Sequence, residues 1–216
     1  TLLCNVLCNE QESKYKIMRI GIFGGTFDPP HEGHRKYACE AIRRLSLDRL
    51  IVIPTFIPPH KAFDGVSADD RLAMTRLLFK DEERIAVSNI ELVRKGKSYT
   101  CETVAQLRKE YPDDELFFLV GSDMLLSFHT WRKPEEILRC VKICAVSRDS
   151  SADEASMQKY IDEHFYEDRD RFIICSFTPI EISSTQVRNA VRNGEPTDGM
   201  ISEQIRKYII EKELYL

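Results

Sequence analysis

Met18-Arg19-Ile20-Gly21-Ile22-Phe23 passes straight into Gly24-Gly25-Thr26-Phe27-Asp28-Pro29-Pro30-His31-Glu32-Gly33-His34. The first six residues read as a strand, the paired glycines and prolines interrupt it, and Ala38, Ala41, Ile42 and Leu45 then recur at i, i+3, i+4 and i+7. Strand, glycine-rich turn and singly striped helix together form the opening of a β-α unit. The alternation continues along the chain. Strand-like runs lie at Arg19–Phe23, Leu50–Ile53, Ile85–Ile90, Leu116–Val120, Val141–Val146 and Phe172–Cys175. Helical stripes lie at Leu72, Leu77 and Leu78, at Val104 and Leu107, and at Ile201, Ile205, Tyr208 and Ile209. This predicts one α/β domain on a parallel sheet. Such sheets bind ligands beyond the carboxyl ends of their strands. Four unusual loops occupy those places: Gly24 to His34, Pro54 to Lys61, Gly121 to Trp131 and Thr178 to Arg188.

The composition agrees with a folded domain. Of 216 residues, 43% are hydrophobic and 31% charged, and no apolar run approaches the ~20 residues of a spanning helix, which argues against membrane and disordered classes. A net charge of −4, with no basic helix and no interleaving of basic and aromatic residues, argues against a nucleic-acid binder but allows a local basic pocket. Seven cysteines, an odd number without short regular spacing, fit reduced thiols in the cytoplasm better than a disulfide framework. Residues 1–17 lack a signal-peptide pattern and read as an extension or cloning remnant, leaving 18–216 as the domain. Glu10 and Glu12 cancel Lys14 and Lys16, so the domain carries the whole −4. Asp149–Asp170 is rich in charge and carries no motif.

The glycine-histidine loop is neither common phosphate loop. Gly21, Gly24, Gly25 and Gly33 miss the G-x-G-x-x-G spacing, and Gly96-Lys97-Ser98 has Glu91 where a P-loop needs glycine. Adjacent glycines still let the backbone approach a ligand, and the following helix offers its N-terminal N–H groups to an anion. His31 and His34 are three apart, so they can face one side of a first helical turn and aim at one phosphate. An H-x-x-H pair can also hold a metal or simply cap and pack. The other loops leave similar choices. Ser98 and Thr100 can cap a helix or offer its N-terminus to an anion. Asp123 can cap or bind ribose hydroxyls. Trp131, the single tryptophan, can be core or a partly exposed stacking surface between charged flanks. Ser183, Ser184 and Thr185 can cap, and Arg188 lies on the same face three residues beyond Thr185.

Taken together, these segments resemble the nucleotidyltransferases that carry an H-x-G-H motif, and specifically the bacterial nicotinate-mononucleotide adenylyltransferases. The resemblance rests on Gly24–His34, Ile57-Pro58-Pro59-His60-Lys61, Ser98-Tyr99-Thr100-Cys101-Glu102-Thr103, Gly121-Ser122-Asp123-Met124, Trp131 and Ile182-Ser183-Ser184-Thr185-Gln186-Val187-Arg188, and it covers Met18 to Leu216. Cys101 stands where that family usually has a larger apolar residue. The resemblance implies a Rossmann-like, doubly wound parallel sheet. It also implies that the adenylyl group of ATP passes to nicotinate mononucleotide, giving nicotinate adenine dinucleotide and pyrophosphate in NAD biosynthesis. By that resemblance His31, His34 and Arg188 are catalytic. Gly24, Gly25, Thr26, Phe27, Gly121, Asp123, Ser183, Ser184 and Thr185 bind ATP, and Lys61, Thr100 and Trp131 bind the mononucleotide.

The attacking phosphate oxygen is already ionised, so no protein nucleophile or base is required, and the protein's work is positioning and charge neutralisation. Mg²⁺ is expected to arrive with ATP, bridging its phosphates, with no protein metal site. Nicotinamide mononucleotide, phosphopantetheine or a cytidylyl-transfer substrate is the alternative acceptor within the same fold. A nucleotide sensor without chemistry is the alternative outside enzymes. A cytoplasmic protein is expected, and a homo-oligomer is compatible with the sequence.

Overall fold

The structure, a computed structural model, describes residues 16–58, 65–147, 151–176 and 182–216. Its strands are β1 (Arg19–Gly25), β2 (Arg49–Pro54), β3 (Ile85–Val87), β4 (Glu115–Gly121), β5 (Lys142–Ser147) and β6 (Phe172–Ser176). Its helices are α1 (Glu32–Arg44), α2 (Ala68–Phe79), α3 (Ile90–Arg94), α4 (Thr100–Glu110), α5 (Ser122–Leu125), α6 (Pro134–Cys140), α7 (Ser151–His164), α8 (Ser184–Asn193) and α9 (Glu203–Glu211). All strand pairs are parallel, in the order β3-β2-β1-β4-β5-β6. The expected doubly wound sheet is therefore present as a single α/β domain. β3 is shorter than the Ile85–Ile90 run in the sequence. It ends at Val87, and Ile90 turns inward as the first residue of α3.

Strand alternation distributes the core over both faces of the sheet. Leu50 and Val52 join Ala38, Ala41, Met74, Val187 and Ile205 on one side. Ile51 and Ile53 join Val104, Leu107, Ile137 and Ile161 on the other. Helix ends carry local signals. Ser67 accepts from the Asp70 N–H at 3.1 Å to start α2, and Ser202 accepts from the Ile205 N–H at 3.4 Å to start α9. Gly194, at φ 66°, closes α8 in the left-handed conformation.

The strand order reverses between β1 and β4, which opens a crevice at their carboxyl ends. Residues from all four unusual loops line it, Pro54 to Lys61 being described as far as Pro58 and Thr178 to Arg188 from Ile182 onward. Among the described residues no helix is long and apolar enough to cross a membrane.

Candidate active site

The loop from β1 to α1 is shaped by tight packing. A Cβ on Gly25 would lie 3.0 Å from the Phe27 ring, and Phe27, 2% exposed, sits at φ 52°, a costly conformation for a bulky residue. Arg71 of α2 holds the loop from below. This fully buried guanidinium donates to the carbonyls of Thr26 and Thr55, both at 2.7 Å, of Phe56 at 3.0 Å and of Val66 at 3.3 Å. A rigid fork of five donors matches this convergence of backbone acceptors. Nothing in the sequence around Arg71 distinguishes it from a solvated helix residue, so its role became visible only in three dimensions.

His31 is the N-cap of α1 and His34 its third residue, so the spacing does bring the two rings together, with centroids 3.7 Å apart. The Phe27 ring lies 4.9 Å from that of His34. The His31 N–H donates to His34 Nδ1 at 3.1 Å, so a neutral His34 carries its proton on Nε2. Burial pushes His31 down to about 4. Burial, and then the charge of His31, hold His34 well below the usual histidine range. Both rings are therefore neutral at pH 7. They can serve a phosphate as N–H donors, without needing a positive charge. Both line the crevice, with Gly24, Gly25 and Thr26 beside them. Phe27 is not in the lining. It supports His34 from behind.

α8 comes to the same loop from the far end of the chain. Ser183 caps it, accepting from the Gln186 N–H at 3.2 Å, while its own N–H donates to Gln186 Oε1 at 2.7 Å. Ser184 donates to the Pro29 carbonyl at 2.9 Å, and Arg188 donates to the Asp28 carbonyl at 2.6 Å and to Thr185 Oγ1 at 3.2 Å. Ser183 and Ser184 line the crevice. Thr185 is exposed outside it, and Arg188 braces the loop on which the histidines stand. Tyr215 adds a second brace, unmarked in the sequence, by donating to Asp28 Oδ1 at 2.7 Å.

Gly121 and Asp123, at the end of β4, line the crevice as well. Gly121 is the N-cap of α5 and Asp123 lies inside its first turn, so Asp123 is not the cap. Thr100 is the first residue of α4 and also faces the crevice. Ser98 does not cap α4. Its hydroxyl accepts the Phe56 N–H at 2.9 Å and ties two loops together. Cys101 is 5% exposed and fills the apolar position expected there. Trp131 lines the crevice but is only 8% exposed, which favours the core alternative over the partly exposed one. Its ring meets Phe128 at 5.2 Å and the edge of Phe118 at 6.2 Å, while the charge of Arg132 and Lys133 points elsewhere. His60 and Lys61 lie outside the described residues.

The open volume of about 1880 Å³ takes in the crevice and a groove along α1 as far as Arg43 and Arg44. Among the described residues no cluster of three or more His, Cys, Asp or Glu could hold a metal ion. What the arrangement offers is hydrogen-bond donors on a braced loop at one end and a helix N-terminus beside an aromatic wall at the other.

The chain matches the family model described as Cytidylyltransferase-like over residues 22–190. A Shouchella clausii protein named probable nicotinate-nucleotide adenylyltransferase is 40% identical over 91% of this chain and 96% of its own length. The Bacillus subtilis nicotinate-nucleotide adenylyltransferase is 34% identical over 91% of this chain and 98% of its own length. Among solved structures, that of Plasmodium falciparum nicotinic acid mononucleotide adenylyltransferase complexed with NaAD has a TM-score of 0.75 at 17% identity, covering 92% of this chain and 97% of that one. That likeness shows the shared fold. With relatives matched along nine-tenths of its length, the chain belongs to the nicotinate-nucleotide adenylyltransferase family, a branch of the cytidylyltransferase-like nucleotidyltransferases.

Proposed function

We propose that this chain transfers the adenylyl group of ATP to nicotinate mononucleotide, forming nicotinate adenine dinucleotide and pyrophosphate. The observation that carries this reading is the placing of the His31–His34 pair in one crevice with Thr100 and Trp131. The histidines offer donors to phosphate, and Thr100 and Trp131 line the same crevice. An oxygen of the mononucleotide phosphate attacks the α-phosphorus of ATP, and the bond from that phosphorus to the β-phosphate oxygen breaks as pyrophosphate leaves. The histidine N–H groups meet the negative charge spread over the α-phosphoryl oxygens as this happens. Gly24, Gly25 and Thr26 let the backbone approach the triphosphate, with Ser183 and Ser184 on its other side, and Asp123 faces the ribose. Arg188 serves through the loop it braces and, on rotating away from Asp28, through the phosphates themselves.

The first turn of α4, at Thr100, receives the ring carboxylate, for which a helix N-terminus is a favourable partner. Trp131 forms the wall beside the ring, and Lys61 is assigned to the mononucleotide by the sequence resemblance alone. Mg²⁺ enters with ATP as part of that substrate. A phosphate-borne Mg²⁺ needs no protein cage. A cytoplasmic location is part of this proposal, supported by the odd number and irregular spacing of the seven cysteines in the sequence.

The test is pyrophosphate release from ATP with nicotinate mononucleotide, with the dinucleotide product identified by mass. Turnover with phosphopantetheine or a cytidylyl substrate in its place would move the function to another member of the superfamily. Nucleotide binding without pyrophosphate would make the protein a sensor.

A further inference from the structure

Trp131 lies at a junction where the chain changes conformation repeatedly. A 3-10 turn, Phe128–Thr130, gives way to extended backbone at Trp131, and Lys133, at φ 57° and ψ 58°, is left-handed before Pro134 opens α6. The bonds within the junction are local: the Trp131 N–H donates to the Phe128 carbonyl at 3.0 Å, and Thr130 Oγ1 to the Ser127 carbonyl at 2.7 Å. They shape the turn without fixing where it stands on the domain. Phe128 is fully buried against Phe165 and Phe172 and sets the depth of the turn. Apolar packing is non-directional, so the rotation of the turn must be set by something else. On the far side of the indole, Arg132 lies over the Tyr99 ring at 4.4 Å and pairs with Glu102 at 3.7 Å, but both charges are exposed and such a pair holds weakly. On the near side, Tyr160 of α7 reaches the turn from the core. Its hydroxyl oxygen accepts the His129 backbone N–H at 2.8 Å and shares a second hydrogen bond with His129 Nδ1 at 2.7 Å. Tyr160 is 7% exposed, and His164, one turn further along α7, stacks on the His129 ring at 4.4 Å.

We propose that Tyr160 is a positioning residue for the mononucleotide, acting through the His129 backbone to set the Trp131 indole as the wall of the ring pocket. Tyr160 does not line the crevice and touches no substrate. Without its hydroxyl, the His129 N–H loses its acceptor and turns toward water to regain one. The turn rotates with it and carries the indole away from the ring. This inference rests on the function proposed above.

The test is Tyr160→Phe, which keeps the aromatic ring in the core and removes both bonds. The KM for nicotinate mononucleotide is expected to rise about fivefold, the factor that one hydrogen bond carries. kcat and the KM for ATP are expected to stay within about twofold, because the histidine loop is held by other residues. Trp131 is the only tryptophan, so its emission reads this segment alone, and it is expected to move to longer wavelength in the variant without substrate. A rise in the mononucleotide KM of less than about threefold, a loss shared equally by kcat and the KM for ATP, or an unmoved emission each overturns the proposal. If Tyr160→Phe does not fold, His129→Ala, at an exposed position, removes the ring bond alone and is expected to move the same KM and the same emission in the same direction, and an unmoved KM there overturns the proposal equally. A wild-type protein inactive with nicotinate mononucleotide rejects the proposed function, whereas an active one whose KM the substitution leaves unmoved rejects only the role of Tyr160.

Discussion

Lowering the pH from 7 to 5 should cost this protein about 2 kcal/mol of folding stability through His31 alone. In the folded chain burial holds His31 at about 4, against an ordinary 6.5 when unfolded. Between those values the unfolded chain binds more protons, so stability falls as the pH drops through 6.5 and goes on falling down to about 4. His34 is shifted the same way and adds to the loss. The cause is visible in the geometry. His31 is 6% exposed, so its charged form is stripped of water, and at His34 the His31 ring, with centroids 3.7 Å apart, adds a repulsion of about 4 kcal/mol when both are charged at an effective dielectric constant of ~20. The assay is urea unfolding at pH 7 and pH 5 for the wild type and for His31→Asn, which keeps a good N-cap and removes the titrating ring. With a slope of roughly 2 kcal/mol per molar urea, the wild-type midpoint should fall by about 1 M more than that of the variant. Equal pH dependence in the two proteins would refute the neutral buried pair, and with it the view that the histidines act as uncharged donors.

Three other substitutions follow from the braces around the loop. Arg71→Met leaves four backbone carbonyls without their donor and should destabilise the fold by about 3 kcal/mol or more, read as a fall in the urea midpoint. Tyr215→Phe removes the hydrogen bond to Asp28 and should cost about 1–2 kcal/mol, with a measurable drop in kcat because the loop bearing His31 loosens. Gly25→Ala puts a methyl group against the Phe27 ring and should cost about 1–3 kcal/mol, while lowering kcat more than it raises the KM for the mononucleotide, because Phe27 backs His34.

The sheet was legible because each strand is a short β-prone run bounded by turn residues, and a parallel sheet covered on both faces needs just such runs. Ile90 was misplaced because one apolar residue after Val87 looks the same whether it continues a strand or opens a buried helix turn. The histidine pair was legible because residues three apart in a first turn must meet. The partner of Arg188 was not, since Asp28 lies 160 residues earlier and only the fold joins them. Arg71 shows the same limit more sharply: a charged residue in a helix reads as solvated until the carbonyls that surround it are seen. Trp131 stayed open between core and partly exposed surface, because charged neighbours in sequence say nothing about which way a side chain turns at the end of a short helical turn.

The most direct test of the central claim, that a braced pair of neutral histidines serves adenylyl transfer, is His34→Ala assayed for both turnover and mononucleotide binding. Loss of one preorganised donor predicts a fall in kcat of about 10²–10³-fold. The dissociation constant for nicotinate mononucleotide should stay within about threefold, because the ring pocket is built from other residues. Near-normal turnover in a folded His34→Ala protein would contradict the account.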